Sequence, residues 1–386
     1  MRTSSRFCSI RRFERYWPQI RSRPSSAVPS KRSTSSARKQ PAEDYPSRRS
    51  DPLRIVAIGG GTGLSTLLKG LKRYTPHVGQ QLSPPVEITA VVTVTDDGGS
   101  SGRLRREFDI LPPGDIRNCM VALSEDEALL TKLFSYRFDS GRGLKGHSFG
   151  NLFLAVLTQI TGDFSKAVRL SSEVLAIAGQ IYPSTAGNVT IRAHLENGKV
   201  LDGETRISRS ESPIQTIELR PADAKPMSET LQAIRRADLI TMGPGSLFTS
   251  VVPNLLVERI PAAIRNSPAL KACFVNLMWQ PGETTGMSAA DHVAAIHRHA
   301  GRRLVDCAVV NTDPISDTLL VRYARQRAMQ VANDFDRLKA LGVDVVGLPL
   351  LKAGEKARHD PDRIAHAAVE LAKKGRRRIL EREKPR

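Results

Sequence analysis

No stretch of this 386-residue chain approaches eighteen consecutive apolar residues, so no segment reads as a membrane-spanning helix. Aromatic residues make up only 5% of it. Ala, Leu, Val and Ile carry the apolar content instead, which suits strands and helices packed in layers. Cysteine is sparse: Cys8, Cys119, Cys273 and Cys307 form no CxxC pair, and their spacing fits no zinc site. Cys273 and Cys307 sit in apolar runs expected to be buried strands, and Cys119 in an apolar helix. These are expected to be reduced thiols in a cytoplasmic protein. The chain also lacks a GxxxxGK[ST] P-loop, a GxSxG nucleophile elbow and an HExxH pair.

Acids are in deficit, with 39 Asp and Glu against 58 Lys and Arg, for a net charge of +19. Position matters more than the total. Residues 1–50 hold 13 basic and 3 acidic residues, and residues 371–386 hold 8 and 2, which leaves about +3 for everything between. Such a body has no global need for a polyanion, so no specific nucleic-acid partner is expected; the tails would touch RNA or acidic lipid only weakly. Residues 1–52, rich in Arg, Ser and Pro, are expected to be a disordered basic tail. A transit peptide and an early start codon are the other readings. Residues 371–386 are expected to be a frayed basic C-terminal tail.

What is present between the tails alternates strand and helix. Leu53–Ile58 is an apolar run followed by Gly59, Gly60, Gly61, Thr62 and Gly63, and then by Leu64, Leu67, Leu68 and Leu71 at helical spacing. Further strands are expected at Val86–Val94, Leu239–Met242, Ala272–Leu277, Val305–Val310 and Val343–Val346. This pattern predicts an α/β fold: a Rossmann-like, mostly parallel sheet with helices on both faces. Asn188–Ile207 reads as short strands, and with the helices of 114–176 it is expected to form a small inserted lobe.

A glycine loop between strand and helix lets backbone N–H groups approach a phosphate at a helix N-terminus. Gly59–Gly63 is such a loop, and Gly243, Gly245 and Ser246 repeat the logic after a later strand. The first loop lacks the third glycine of GxGxxG, because Leu64 stands there. Asp96 and Asp97 end the second strand and would emerge at the same sheet edge. Two carboxylates beside a phosphate site predict Mg²⁺. Asp97, Asp115 and His147 are the candidate acid–base groups. The plain alternatives are a tight βα turn, an Asp-Gly turn and a capping histidine. Ser288 and Asp291 predict a capping box, with His292, His297 and His299 on a solvated helix face.

Seven ordered motifs together resemble the YvcK/CofD-like family. They are GGGTGLS (59–65), VTVTDDGGSSGRLR (92–105), PPGDIRN (112–118), GHSFGN (146–151), GNVT (187–190), GPGSLFTSVVPNLLV (243–257) and QPGET (280–284). The resemblance covers roughly residues 53–370 and implies one nucleotide-binding α/β domain there. It also implies two functions. Proteins like the YvcK branch, the gluconeogenesis factors, are linked to cell shape and carbon metabolism and to binding a UDP-sugar such as UDP-N-acetylglucosamine. Proteins like the CofD branch transfer a phospholactyl group from a nucleotide diphosphate donor to a deazaflavin, using Mg²⁺. The DDGGSSGR and PPGDIRN forms are closer to YvcK. In the nucleotide-sugar reading Asn254 or Asn188 would orient the ligand, and by the resemblance Tyr323 and Arg358 would close over it. Trp279 departs from the pattern, which has a small polar residue there. A homo-oligomer stays open.

Overall fold

A computed structural model of the chain describes residues 51–76, 84–125 and 127–383. The basic tail expected over 1–52 therefore lies, up to residue 50, outside the described residues, as does Cys8.

The sheet is built outward from β1 (Leu53–Gly59), nearly all of whose residues are buried, as a strand covered on both faces must be. The leucines of α1 (Gly61–Leu71) recur at i, i+3, i+4 and i+7, and all four are fully buried. Each such side chain stabilises the fold by about 1.5–3 kcal/mol relative to exposure. The chain continues through β2 (Val86–Val92), α2 (Gly99–Phe108), α3 (Gly114–Leu123), α4 (Glu127–Ser135), α5 (Phe149–Thr161) and α6 (Phe164–Val174) to β3 (Gln180–Pro183). After an inserted lobe come α8 (Ser228–Arg236), β7 (Leu239–Met242), α9 (Val252–Leu256), α10 (Ile260–Asn266) and β8 (Leu270–Phe274). The last elements are α11 (Ala289–His299), β9 (Cys307–Asn311), α12 (Asp317–Ala324), α13 (Phe335–Ala340), β10 (Asp344–Leu348) and α14 (Pro361–Glu383).

The seven strands run β10-β9-β8-β7-β1-β2-β3, and every pairing is parallel. This is the expected α/β sheet. Right-handed crossovers place α1 and α3 to α6 on one face and α8 to α11 on the other, and α14 returns to the first face against α1, β1, β7 and β8.

The lobe is smaller than expected. It is a three-stranded antiparallel sheet, β5-β4-β6, made of β4 (Thr190–Leu195), β5 (Val200–Asp202) and β6 (Ile214–Arg220), with one helical turn, α7 (Glu204–Ile207). Along β4, buried Ile191, Ala193 and Leu195 alternate with partly exposed Thr190, Arg192 and His194. The helices of 114–176 do not join it. They pack on the main sheet through α1, β2 and β3, because α3 turns buried Ile116, Cys119, Met120 and Leu123 to that core. The expected solvated histidine face is also corrected. The Ser288–Asp291 capping box forms, but His292 is buried, and Nε2 of His297 and of His299 accept the backbone N–H of Val305 and Ile217. His299 thereby ties β6 of the lobe to α11.

Up to Glu383, the last described residue, the C-terminal stretch is not frayed. Helix α14 runs unbroken to Glu383, with Leu371, Ala372, Gly375 and Ile379 buried. Its Arg376 is 6% exposed and donates through Nε and Nη2 to the carboxylate of Asp238, both at 2.6 Å, and to the carbonyls of Asp51 and Pro52. Asp238 also accepts the N–H of Arg54 at 2.8 Å. A run of basic residues concealed one that is an internal strut. Removing one partner of a buried pair leaves the other charge uncompensated, at a cost of about 3–5 kcal/mol. Denaturant unfolding of Arg376→Ala should show a loss of that size, and Arg377→Ala, two-sided in water, should show almost none.

Candidate functional site

The strand order reverses between β1 and β7. From β1 the chain steps to β2 and β3 on one side; from β7 it steps to β8, β9 and β10 on the other. Loops leaving adjacent strands in opposite directions open a crevice at their carboxyl ends. Here the two loops are the glycine runs.

In the first, Gly60 is extended and Gly61 is left-handed (φ +60°) as it opens α1. No acid belongs to the first turn of α1 itself; the Gly61 N–H is taken by the Asp115 carboxylate, which leaves those of Thr62 and Gly63 to bind an anion. In the second, Gly243 (φ +79°) and Gly245 (φ +151°) flank Pro244, and Ser246 caps a π-turn over Leu247–Val251 by accepting the N–H of Thr249. The loops touch backbone to backbone. A Cβ on Gly63 would lie 2.4 Å from the Pro244 carbonyl oxygen and 2.5 Å from Cα of Gly245. A Cβ on Gly60 would lie 2.5 Å from Oδ2 of Asp115. The amide of Asn254, fully buried, donates to the carbonyls of Gly59 (3.2 Å) and Ser250 (2.7 Å), fastening the end of β1 to the π-turn.

A cleft of about 470 Å³ lies over these loops. Asn276 accepts the N–H of Gly245 and donates to Gln280. Trp279 lines the cleft with its indole N–H on the carbonyl of Met287 at 3.0 Å. Tyr323, Arg358 and His359 form the far wall, and the Tyr323 hydroxyl accepts the N–H of Ala357 at 3.1 Å. Tyr323 packs in a separate apolar cluster with Leu277, Met278 and Ile315, so this wall has its own small core.

Carboxylates crowd one side. Glu283, 7% exposed, accepts the hydroxyls of Ser246, Thr249 and Ser208, the last from the lobe, and burial pushes its pKa up. Glu204 of α7 is pushed up to about 9 by burial and by Asp96 and Asp115 nearby. Asp115 is raised to about 6 by burial, against the lowering effect of the Gly61 N–H. Among the described residues, no group of three or more His, Cys, Asp or Glu is placed to hold a metal unaided.

Of the residues expected at the site, Gly60, Gly61, Thr62, Gly63, Gly245, Ser246, Tyr323 and Arg358 line one cleft. Gly59 and Gly243 stand behind it. Four others are placed differently. Asn254 is fully buried support behind the first loop and is not on the cleft's lining. Asn188 is exposed outside the cleft, bonded to Asp109 at 3.2 Å. Asp97 turns to the lobe, where Oδ1 accepts the N–H and the hydroxyl of Thr205 in the N-terminal turn of α7, and it is not on the cleft's lining. His147 is buried, its Nδ1 3.0 Å from the Ser100 hydroxyl, outside the cleft, and burial holds its pKa down. Cys119 is buried, its thiol pKa pushed far up by desolvation. Sequence reasoning missed Glu204 and the role of Glu283. Glu283 lay inside the QPGET motif; Glu204 had only the Asp202-Gly203 turn before it.

A parallel sheet with an anion-ready glycine cleft at its switch point defines a Rossmann-like α/β protein. The family model described as 2-phospho-L-lactate transferase CofD matches residues 55–351. The chain is 47% identical over 317 residues to a gluconeogenesis factor of Halalkalibacterium halodurans, covering 82% of this chain and 95% of the relative. It is 45% identical over 321 residues to a gluconeogenesis factor of Bacillus subtilis, covering 83% and 98%. A crystal structure of a protein from Bacillus halodurans superposes with a TM-score of 0.78 at 46% identity, covering 83% of this chain and 100% of that one. The chain belongs to the CofD family. Among the described residues no single helix is long and apolar enough to cross a membrane.

Two outcomes follow from this geometry. Gly63→Ala drives a methyl group into rigid backbone, so it should destabilise the chain by about 1–3 kcal/mol in thermal unfolding and distort the cleft. The acids give a pH dependence. Asp115 and Glu204 hold protons more tightly folded than unfolded, so the stability they confer is full below about pH 4 and falls as pH rises through about 6 and then about 9. Glu204→Gln should flatten the decline between pH 6 and 9, measured as urea midpoints across that range.

Proposed function

We propose that the cleft binds a nucleotide diphosphate sugar, with UDP-N-acetylglucosamine the first ligand to test, and that the protein is a binding and regulatory protein acting in carbon metabolism and cell shape. The observation that carries this reading is the backbone contact between the two glycine loops at the sheet's switch point. In it, the N–H groups of Thr62, Gly63 and the second loop take the diphosphate oxygens, the Gly61 N–H being held by Asp115. Tyr323 stacks on the base or sugar, and Arg358 pairs with the diphosphate in a charge-assisted contact. The relatives named gluconeogenesis factor support the carbon-metabolism part of this reading; the cell-shape part rests on the family resemblance alone.

Mg²⁺ belongs to this reading. The ion takes oxygen ligands and keeps substrate phosphates among them. Asp96 and Asp115 offer carboxylate oxygens beside the first loop, and Glu204 adds charge; Asp97, engaged with Thr205, does not. Bound there, the ion would neutralise the diphosphate. Asp115→Asn should then abolish a rise in melting temperature produced by Mg²⁺ at pH 8, where the wild-type carboxyl is ionised.

Calorimetry of the full chain with UDP-N-acetylglucosamine decides the main reading. Heat with a 1:1 stoichiometry is expected, weakened at least tenfold by Arg358→Ala. Folded protein that gives no heat at millimolar ligand ends it. The carboxylate group also favours a second reading, a CofD-type 2-phospho-L-lactate transferase in which Asp115 takes the proton of an incoming hydroxyl. Product from a nucleotide-activated phospholactate and a deazaflavin, lost in Asp115→Asn, would promote it.

A further inference from the structure

Three arginines that the cleft does not use gather at the turn 145–150. Arg103 of α2 donates from Nη2 to the carbonyl of Lys145 at 2.9 Å. Arg137 donates from Nη1 to the next carbonyl, that of Gly146. The hairpin closed by Phe138 N–H to the His147 carbonyl and Phe149 N–H to the Tyr136 carbonyl holds Arg137 opposite Ser148. Arg117 of α3 reaches the same place from the other side. It donates to the carbonyl of Phe134 and to Oδ1 of Asn118, and a Cβ on Gly150 would lie 2.8 Å from its Cδ.

Guanidinium groups kept this close repel one another, and folding would ordinarily set a carboxylate among them. Here none does. Among the described residues Arg103, Arg117 and Arg137 form no ion pair, and their hydrogen bonds go to neutral oxygens. The Nε of Arg117 is buried without a partner, which is costly unless a ligand supplies one. Burial and the Arg137 charge both lower the Arg117 pKa, while Asp115 and Asp96 act on it in the opposite sense from beyond ion-pair distance. Arg103 and Arg137 also disfavour a proton on His147, which Glu107 alone favours.

We propose that Arg103, Arg117 and Arg137 form a second anion subsite, at the turn 145–150, that takes the phosphate group of a small metabolite. Several forked donors approaching from different elements suit a tetrahedral oxyanion better than a planar carboxylate. The subsite spans one turn, and the body of the chain carries only about +3, so no track for a nucleic-acid backbone leads to it. Helix α3 links the two places: Asp115, two residues before Arg117, lies against Gly60 of the first glycine loop. The inference is independent of which nucleotide the cleft holds.

The test is calorimetry of the full chain at low ionic strength with inorganic phosphate and with glycerol 3-phosphate. Wild type, Arg103→Gln, Arg137→Gln and Gly63→Ala are compared. Both probes are expected to bind. Loss of one charge-assisted contact should weaken them about tenfold or more in either arginine variant and leave Gly63→Ala as tight as wild type. Arg137 is exposed, so its substitution should leave the melting temperature unchanged. Arg137→Lys, which keeps the charge and loses the fork, should fall between. No heat from folded protein overturns the proposal. So does binding that survives both arginine substitutions, or that disappears in Gly63→Ala, since phosphate would then sit in the glycine cradle. Phosphate bound without the ester would overturn the metabolite assignment.

Discussion

The molecule is organised around one steric requirement: two backbone segments must meet with no side chain between them. Gly63 rests on the Pro244 carbonyl and Gly245, and Gly60 leaves room only for the Asp115 carboxyl. Close approach brings the amide-rich start of α1 over the loop after β7, and the sheet's reversal of strand order supplies the crevice beneath. Asn254 and Asn276 then serve the contact, one from behind the first loop and one from beside the second. Their amides hold backbone in place, which explains why polar residues are tolerated inside an otherwise aliphatic core.

The surrounding charge has its own logic. Phosphate cradles usually gather cations, yet this cleft is lined by Glu204 and Glu283, with Asp96 and Asp115 acting on Glu204 from nearby, and among the described residues Arg358 is the one Lys or Arg on its wall. Burial raises the affinity of Glu204, Glu283 and Asp115 for protons, so at neutral pH part of the negative charge is already cancelled. Glu283 shows a second solution. Its three hydroxyl partners keep it satisfied, and through Ser208 and Ser246 it couples the lobe to the second loop. The Asp97–Thr205 contact is a parallel tie between the lobe and the loop after β2.

The sheet and the glycine loops were legible in the sequence because both are local. Period, apolar runs and glycine clusters declare themselves within a dozen residues, and six of the seven main-sheet strands were anticipated. Strand β3 was not: Gln180–Pro183 is four residues at an edge, too short to show a period. Side-chain direction was the harder matter. Asp96 and Asp97 are neighbours with opposite fates, since the turn at Gly98 sends one toward Gly114 and the other to the lobe. Asn254 and Tyr323 were named together, yet only Tyr323 meets the cleft. Glu204 is not legible in the sequence because its acidic neighbours, Asp96, Asp97, Asp115 and Glu283, are all distant along the chain, a proximity that only the folded lobe creates. The basic C-terminal run misled for the same reason: composition cannot tell a guanidinium in water from one locked on a buried carboxylate.

That lock has a practical side. By gripping the carbonyls of Asp51 and Pro52, Arg376 sutures the start of β1 to the last helix at the pole of the sheet remote from the ligand mouth. Dyes attached near these two points would stay close while the body is intact and separate when it unfolds, giving an optical gauge of integrity that leaves the binding face untouched.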